Sequence, residues 1–284
     1  MRPQIFVTWL ITVLLTCALT VISASQTDDK WTSLFNGKDL DGWYTYTYLV
    51  RGDPKQDGKN NDHRNIFKVD KGMIHILDIP DNGQKVPYGY LATNSEYSDV
   101  RIHAEYKYGT KRFAGYWSST AEHPRNSGLI YFMTGSDEES LGAECQIEES
   151  NTGDLELWGT SAMSNVINPA YPVYDIDAPP RQLGPGGKPR YEQVVTRIVK
   201  FGAFENLNEW NTLEVILDGS RATQIVNGRI VNVVWDVSRP DPQNPSTMIP
   251  IRQGHIGLQD EGAEIWFRNL KIRPLTPSEK RASE

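Results

Sequence analysis

Apolar and polar positions alternate with a period of two along much of the chain, the pattern of half-buried β-strands. The clearest case runs from Val100 to Tyr108. There Val100, Ile102, Ala104, Tyr106 and Tyr108 share one face, and Arg101, His103, Glu105 and Lys107 the other, with His103 read as a surface residue. Leu129 to Met133 is an unbroken apolar run, as expected of a central strand covered on both faces. Gly142 to Ser150 alternates at its centre, with Ala143, Cys145 and Ile147 against Glu144, Gln146 and Glu148. Asn227-Gly228, between Thr223–Val226 and Arg229–Trp235, predicts a tight hairpin. Asp70-Lys71-Gly72 predicts another. Strands are also expected over Trp210–Leu217, His255–Gln259 and Glu264–Ile272, with Pro274 ending the sheet. No ten-residue stretch carries a convincing 3.6-residue period. About a dozen short strands set off by turns predict an all-β sandwich or barrel. No linker divides the chain, so one domain is expected. Asn165 to Arg190 is rich in Pro and Gly and reads as a long loop, either a lid over a groove or a plain insertion.

The N-terminus is different in kind. Ile5 to Ile22 is mostly apolar, ends in Ser23-Ala24-Ser25 and gives way to polar Gln26-Thr27-Asp28-Asp29. This is the form of a secretory signal peptide, with a lone N-terminal membrane anchor as the alternative that the Ser-Ala-Ser exit disfavours, so residues 1–25 are set apart from a domain spanning 26–284. The expected location is the periplasm or the cell exterior, with no stable membrane insertion after cleavage. The net charge of −7 argues against a nucleic-acid partner, whose phosphates demand clustered Lys and Arg. Past residue 25 the one cysteine is Cys145, so no internal disulfide is expected.

The Glu144–Gln146–Glu148 row suggests chemistry, because two long acids and an amide share a face with no Lys or Arg in the strand. Such a row suits acid/base work in a sugar-binding groove. Five segments carry a family resemblance. Leu34-Phe35-Asn36-Gly37-Lys38-Asp39-Leu40-Asp41-Gly42-Trp43 comes first, followed by Asn126-Ser127-Gly128, Glu144-Cys145-Gln146 and Val226-Asn227-Gly228. Ile256-Gly257-Leu258-Gln259-Asp260-Glu261-Gly262, with Phe267-Arg268-Asn269, closes the set. In this order they resemble the 3-keto-disaccharide hydrolase domain family, and they span nearly all of the chain after the signal. The Pro/Gly-rich insertion is a departure from that pattern. The resemblance implies a concanavalin A-like jelly roll of two antiparallel sheets, one curved into a groove. It also implies action on glycosides already oxidised at C3, with a carbohydrate substrate.

That chemistry needs a base for the C2 proton, a donor for the enolate oxygen and an acid for the leaving group. Glu144 and Glu148 are the candidate base and acid, in either order, with Glu261 as the alternative. Gln146, Gln259, Asn126, Asp154 and Trp158 are candidate substrate contacts, and Gln259 is favoured over His255 for the groove. Arg268 could steady an enolate or form a structural ion pair. Tyr44, Tyr46, Tyr88, Tyr90 and Trp117 are candidate sugar platforms as well as candidate core. There is no HxH or HExxH pattern, so no cofactor is required and the metal is unassigned. Carboxylate-rich loops leave Ca²⁺ open. Two other readings stand beside this one. A retaining β-glucanase would want Asp where Gln146 stands, and a lectin-like module would bind sugar without cleaving it.

Overall fold

The computed structural model describes residues 30–48, 58–80, 86–113, 124–135, 140–168, 170–184 and 196–281. The signal-like segment and Trp117 lie outside these. The regular structure is almost all strand, in two antiparallel sheets packed as a jelly-roll sandwich. From edge to edge, the eight-stranded sheet runs β13 (Thr196–Ile198), β10 (Leu155–Trp158), β9 (Leu141–Glu148), β8 (Asn126–Thr134), β18 (His255–Asp260), β6 (Gly89–Thr93), β2 (Trp43–Thr47) and β3 (Gly58–Lys59). The eleven-stranded sheet runs β12 (Pro180–Leu183), β11 (Ser161–Asn165), β16 (Arg229–Pro240), β15 (Arg221–Val226), β14 (Asn211–Asp218), β7 (Val100–Arg112), β19 (Ala263–Pro274), β5 (Met73–Ile76) and β4 (Phe67–Asp70). Two short strands join it, β1 (Thr32–Ser33) on β19 and β17 (Met248–Pro250) on β16. One short helix, α1 (Pro277–Arg281), follows the last strand. Among the described residues no helix is long and apolar enough to cross a membrane.

The alternation read from the sequence is what joins the sheets. Ile102, Ala104, Tyr106 and Tyr108 of β7 meet Ala143, Cys145 and Ile147 of β9 and Leu129 of β8 in one buried core. Burying apolar faces this way is the main favourable term in folding, at about 25 cal/mol per Å² removed from water. Asn227 and Gly228 both hold left-handed backbone, φ 48° and 77°, as the two-residue hairpin turn between β15 and β16 requires.

Two expectations change. β8 is buried on both faces, but its register slips between Tyr131 and Thr134, where Phe132 sits at φ 52°. The extra residue reverses the alternation, so Phe132 joins the inner core and Met133 the outer face. The stretch expected as a long loop from Asn165 also carries structure. β12 pairs with β11 from Ala162–Leu183 to Asn165–Pro180, and Val173 bridges Val199. β12 is an edge strand, where Pro180 costs no ladder bond. The chain then passes from the eleven-stranded sheet at β12 to the eight-stranded one at β13.

Candidate active site

The residues that alternate away from the core on the eight-stranded sheet form a second buried layer. Tyr44, Tyr46, Tyr90, Ala92, Ile130, Met133 and Trp158 make an apolar cluster separate from the sandwich core. Tyr46 and Tyr90 stack at 5.4 Å between centroids, 14° from parallel. Strand register continues this layer into a polar half. One line reads Glu156, Glu144, Ile130, Gly257, Ala92, Tyr44, each opposite the next. Gln146 lies opposite Gly128, and Gln259, Tyr90 and Tyr46 follow in succession; Glu148 lies opposite Asn126. The face therefore carries aromatic rings at one end and carboxylates and amides at the other.

Glu144 is fully buried. Its carboxylate lies over the backbone of Gly128, in the space a side chain there would fill. Gln146 is turned to its neighbours. Its Nε2 donates to Glu156 Oε1 at 3.3 Å, and its Oε1 accepts from the Ile147 amide at 3.2 Å. Gln259 is 3% exposed, and its Oε1 is buried without a hydrogen-bond partner, as is Asn126 Oδ1. Tyr90 bonds Ser140 Oγ at 3.2 Å. Burial, reinforced by Tyr48, raises the Tyr90 phenol far above its ordinary range and keeps it neutral. His255 shares the face, with Nδ1 on the Thr93 carbonyl at 2.8 Å and its ring edge-on to Tyr44.

The strand holds no Lys or Arg, but another strand brings one to the acid row. Arg197 of β13 donates from Nη2 to Glu148 Oε2 and from Nε to Asp154 Oδ2, both at 2.7 Å, and stands 3.9 Å from Glu156. Burial works against its charge, but Glu148 and Asp154 outweigh this and hold the guanidinium more firmly protonated than usual. Asn151 also donates to Glu148 Oε2, at 2.7 Å. Glu148 is thus clamped while Glu144 is not part of that clamp. Asp154, which also accepts from the Lys200 amide at 2.9 Å, is a structural anchor. Trp158 is buried within the aromatic cluster.

Arg268 takes the second of its two expected roles, the structural ion pair. It lies on the outer face of the other sheet, where Nε donates to Glu105 at 2.7 Å and the guanidinium covers Trp210 at 3.8 Å. Alternation placed it on the right face of β19, but β19 belongs to the eleven-stranded sheet. Glu261 sits in the turn between β18 and β19, partly exposed.

One group has metal-like spacing. His75, Asp78 and Glu264 place ligand atoms within 4.8 Å of one another, again on the outer face of the eleven-stranded sheet. The two carboxylates are committed to protein donors, while His75 Nδ1 is buried without a hydrogen-bond partner among the described residues. Glu264 takes the Thr110 and Lys111 amides at 2.8 and 3.0 Å and His75 Nε2 at 2.9 Å. Asp78 takes Lys68 and Lys111. Ca²⁺ asks for roughly six to eight oxygens, and two ammonium groups beside the carboxylates oppose it. The donor set fits an ion-pair network and not a Ca²⁺ site.

A family model for the 3-keto-alpha-glucoside-1,2-lyase-like domain matches residues 30–273, most of the chain. The chain belongs to that family. The chain is also similar to several solved structures. One, from Parabacteroides distasonis and described as a candidate glycosyl hydrolase, is 18% identical with TM-score 0.47, over 87% of this chain and 94% of that one. The exoplasmic domain of VIP36, bound to Ca²⁺ and Man3GlcNAc, is 14% identical with TM-score 0.46, over 88% of this chain and 94% of that one. The CBM66 carbohydrate-binding module from Bacillus subtilis is 10% identical with TM-score 0.39, over 66% and 81%. No curated protein sequence matches this chain.

Proposed function

We propose that the protein cleaves glycosides that carry a ketone at C3, by removing the C2 proton and expelling the C1 substituent. The observation that carries this is the position of Glu144: a buried carboxylate, laid over Gly128, on the same sheet face as a stacked tyrosine pair. A ketone at C3 acidifies the C2–H bond. Glu144 takes that proton, and the bonding pair moves into C2–C3, leaving the charge on the C3 oxygen. The enolate then re-forms the ketone, makes a C1–C2 double bond and breaks the C1–O bond, and the departing oxygen takes up a proton. Water adding across the double bond completes a net hydrolysis. Tyr46 and Tyr90 offer a flat surface for the CH groups of the ring. Glu148, held by Arg197 and Asn151, serves this scheme as part of the scaffold of the site.

The test is turnover by the wild-type protein of a glycoside and its 3-keto derivative, with products followed by mass spectrometry. Release of the aglycone from the 3-keto compound alone supports the reading. Binding of both with turnover of neither would favour the non-catalytic carbohydrate-binding module, which the aromatic cluster also suits. The same reading takes residues 1–25 as an export signal for a domain beginning near Gln26. An N-terminus at Gln26 in protein from the native host supports export, and an intact Met1 in its soluble fraction opposes it.

A further inference from the structure

We propose that the side-chain amide of Gln259 donates the hydrogen bond that holds the C3 oxygen as it gains negative charge, an inference that rests on Glu144 being the base for C2. Enolate formation needs a donor aimed at that oxygen. Neither Arg268 nor Arg197 supplies it: Arg268 is on the other sheet, and Arg197 is engaged by Glu148 and Asp154. Two amides flank the strip of backbone on which the Glu144 carboxylate lies. Gln146 is opposite Gly128 on one side. Gly257–Ile130 and Leu258–Leu129 are paired on the other, and continuing that register sets Gln259 opposite Gly128. The two differ in how they are used. Both ends of the Gln146 amide are bonded to protein, whereas Gln259 is just as buried and its Oε1 has no partner.

A buried amide oxygen without a partner is costly and rare in folded proteins, and on a ligand-facing surface a ligand contact explains it. Among the described residues no side-chain hydrogen bond fixes which end of this amide points where, so its NH₂ can turn to an incoming oxygen. The spacing suits the chemistry. The Glu144 carboxylate lies over β8, one strand spacing of about 4.7–4.9 Å from β18, which lets it reach C2 while Gln259 reaches the oxygen on the next ring carbon. Neutrality matters too. A cation here would pair with Glu144 and blunt it as a base, while an amide stabilises the enolate and leaves the carboxylate its charge. Tyr90 is the competing donor on this face, but its hydroxyl is engaged with Ser140.

The experiment compares wild type, Gln259→Met, Gln259→Glu and Tyr90→Phe on a 3-keto-glycoside and on its C2-deuterated form. Removing an oxyanion donor typically lowers kcat by about 10²–10³. Gln259→Met should do so with KM changed less than about threefold and a larger deuterium isotope effect, as proton removal becomes slower. Affinity for the unoxidised glycoside should hold, which a merely structural role would not preserve. Gln259→Glu keeps the shape and, ionised, offers no donor, so it should lose as much; it stands in should Gln259→Met fail to fold. Near wild-type kcat in a folded Gln259 variant, or loss confined to Tyr90→Phe, overturns the inference. A wild-type protein inactive on the 3-keto-glycoside would instead overturn the reading of Glu144.

Discussion

The carboxylate of Glu144 occupies the space that a side chain on Gly128 would need: a Cβ there would overlap Glu144 Oε1 and crowd Cδ. The glycine of the Asn126-Ser127-Gly128 segment is explained by this contact and not by a special backbone angle, since its φ is not left-handed. It is the seat of the proposed base.

Gly128→Ala should therefore act on the site more than on the fold. Glu144 is buried and has little room to swing aside, so overpacking should cost about 1–3 kcal/mol. Shifting the base by about 1 Å should lower kcat about 10²-fold. Thermal melting and steady-state kinetics on a 3-keto-glycoside check both. Unchanged kcat would mean that the Glu144 position is not critical.

Much of this arrangement is legible from alternation and much is not. The faces of β7 and β9 follow from their period of two, and the β15–β16 turn from Asn227-Gly228, because both are local. Alternation says which face of a strand a residue takes, but not which sheet the strand joins, so it leaves open whether Arg268 meets the groove or an ion-pair partner. Arg197 has no local signal. It meets Glu148 from 49 residues away, by way of a strand pair formed only after the chain changes sheets. The Phe132 bulge is hidden inside a uniformly apolar run, where a reversal of faces leaves no mark.

Arg197→Met should unbalance the acid row. Breaking a fully buried pair costs about 3–5 kcal/mol; Arg197 is one-third exposed, so about 1–3 kcal/mol is expected. Adding Asp154→Asn, which neutralises the buried partner, should recover part of the loss. A double-mutant cycle by urea unfolding measures the coupling, and strict additivity would contradict it.

Acid should weaken the outer face of the eleven-stranded sheet through Glu214. Burial alone would raise this carboxyl, but hydrogen bonds from His103 and Arg101 overcome it and bring its pKa down to about 2. Arg101 grips it with two bonds, at 2.7 and 3.0 Å. A lowered folded-state pKa gives stability that is complete above the unfolded value and lost as pH falls through the folded one. The deficit of Glu214→Gln should be about 1–3 kcal/mol at pH 7 and shrink between the ordinary value of 4.5 and about 2. Denaturation across that range checks it, and a deficit independent of pH would contradict it.

Asp260 should show the opposite slope. Its carboxyl is fully buried, Oδ2 has no hydrogen-bond partner among the described residues, and Oδ1 accepts only a long bond from the Gly262 amide at 3.4 Å there. Burial, reinforced by Asp62 and Glu261, raises its pKa well above the ordinary value. The folded state therefore holds a proton that the unfolded chain releases near pH 4, and the stability from this group falls as pH rises above that point. Asp260→Asn keeps the shape without the titration. Its stability relative to wild type should improve from pH 4 to pH 7, measured by urea unfolding, and a constant difference would refute the assignment.

The central claim is that Glu144 removes the C2 proton of a 3-keto-glycoside. The direct measurement is turnover of that substrate by wild type and Glu144→Gln, with C2 hydrogen exchange in D₂O followed by NMR and folding confirmed by circular dichroism. The account predicts that wild type exchanges the C2 hydrogen and releases the aglycone. It also predicts that Glu144→Gln binds the sugar but loses both activities by about 10²–10⁴. A folded Glu144→Gln protein that exchanges and cleaves at near wild-type rates would contradict it.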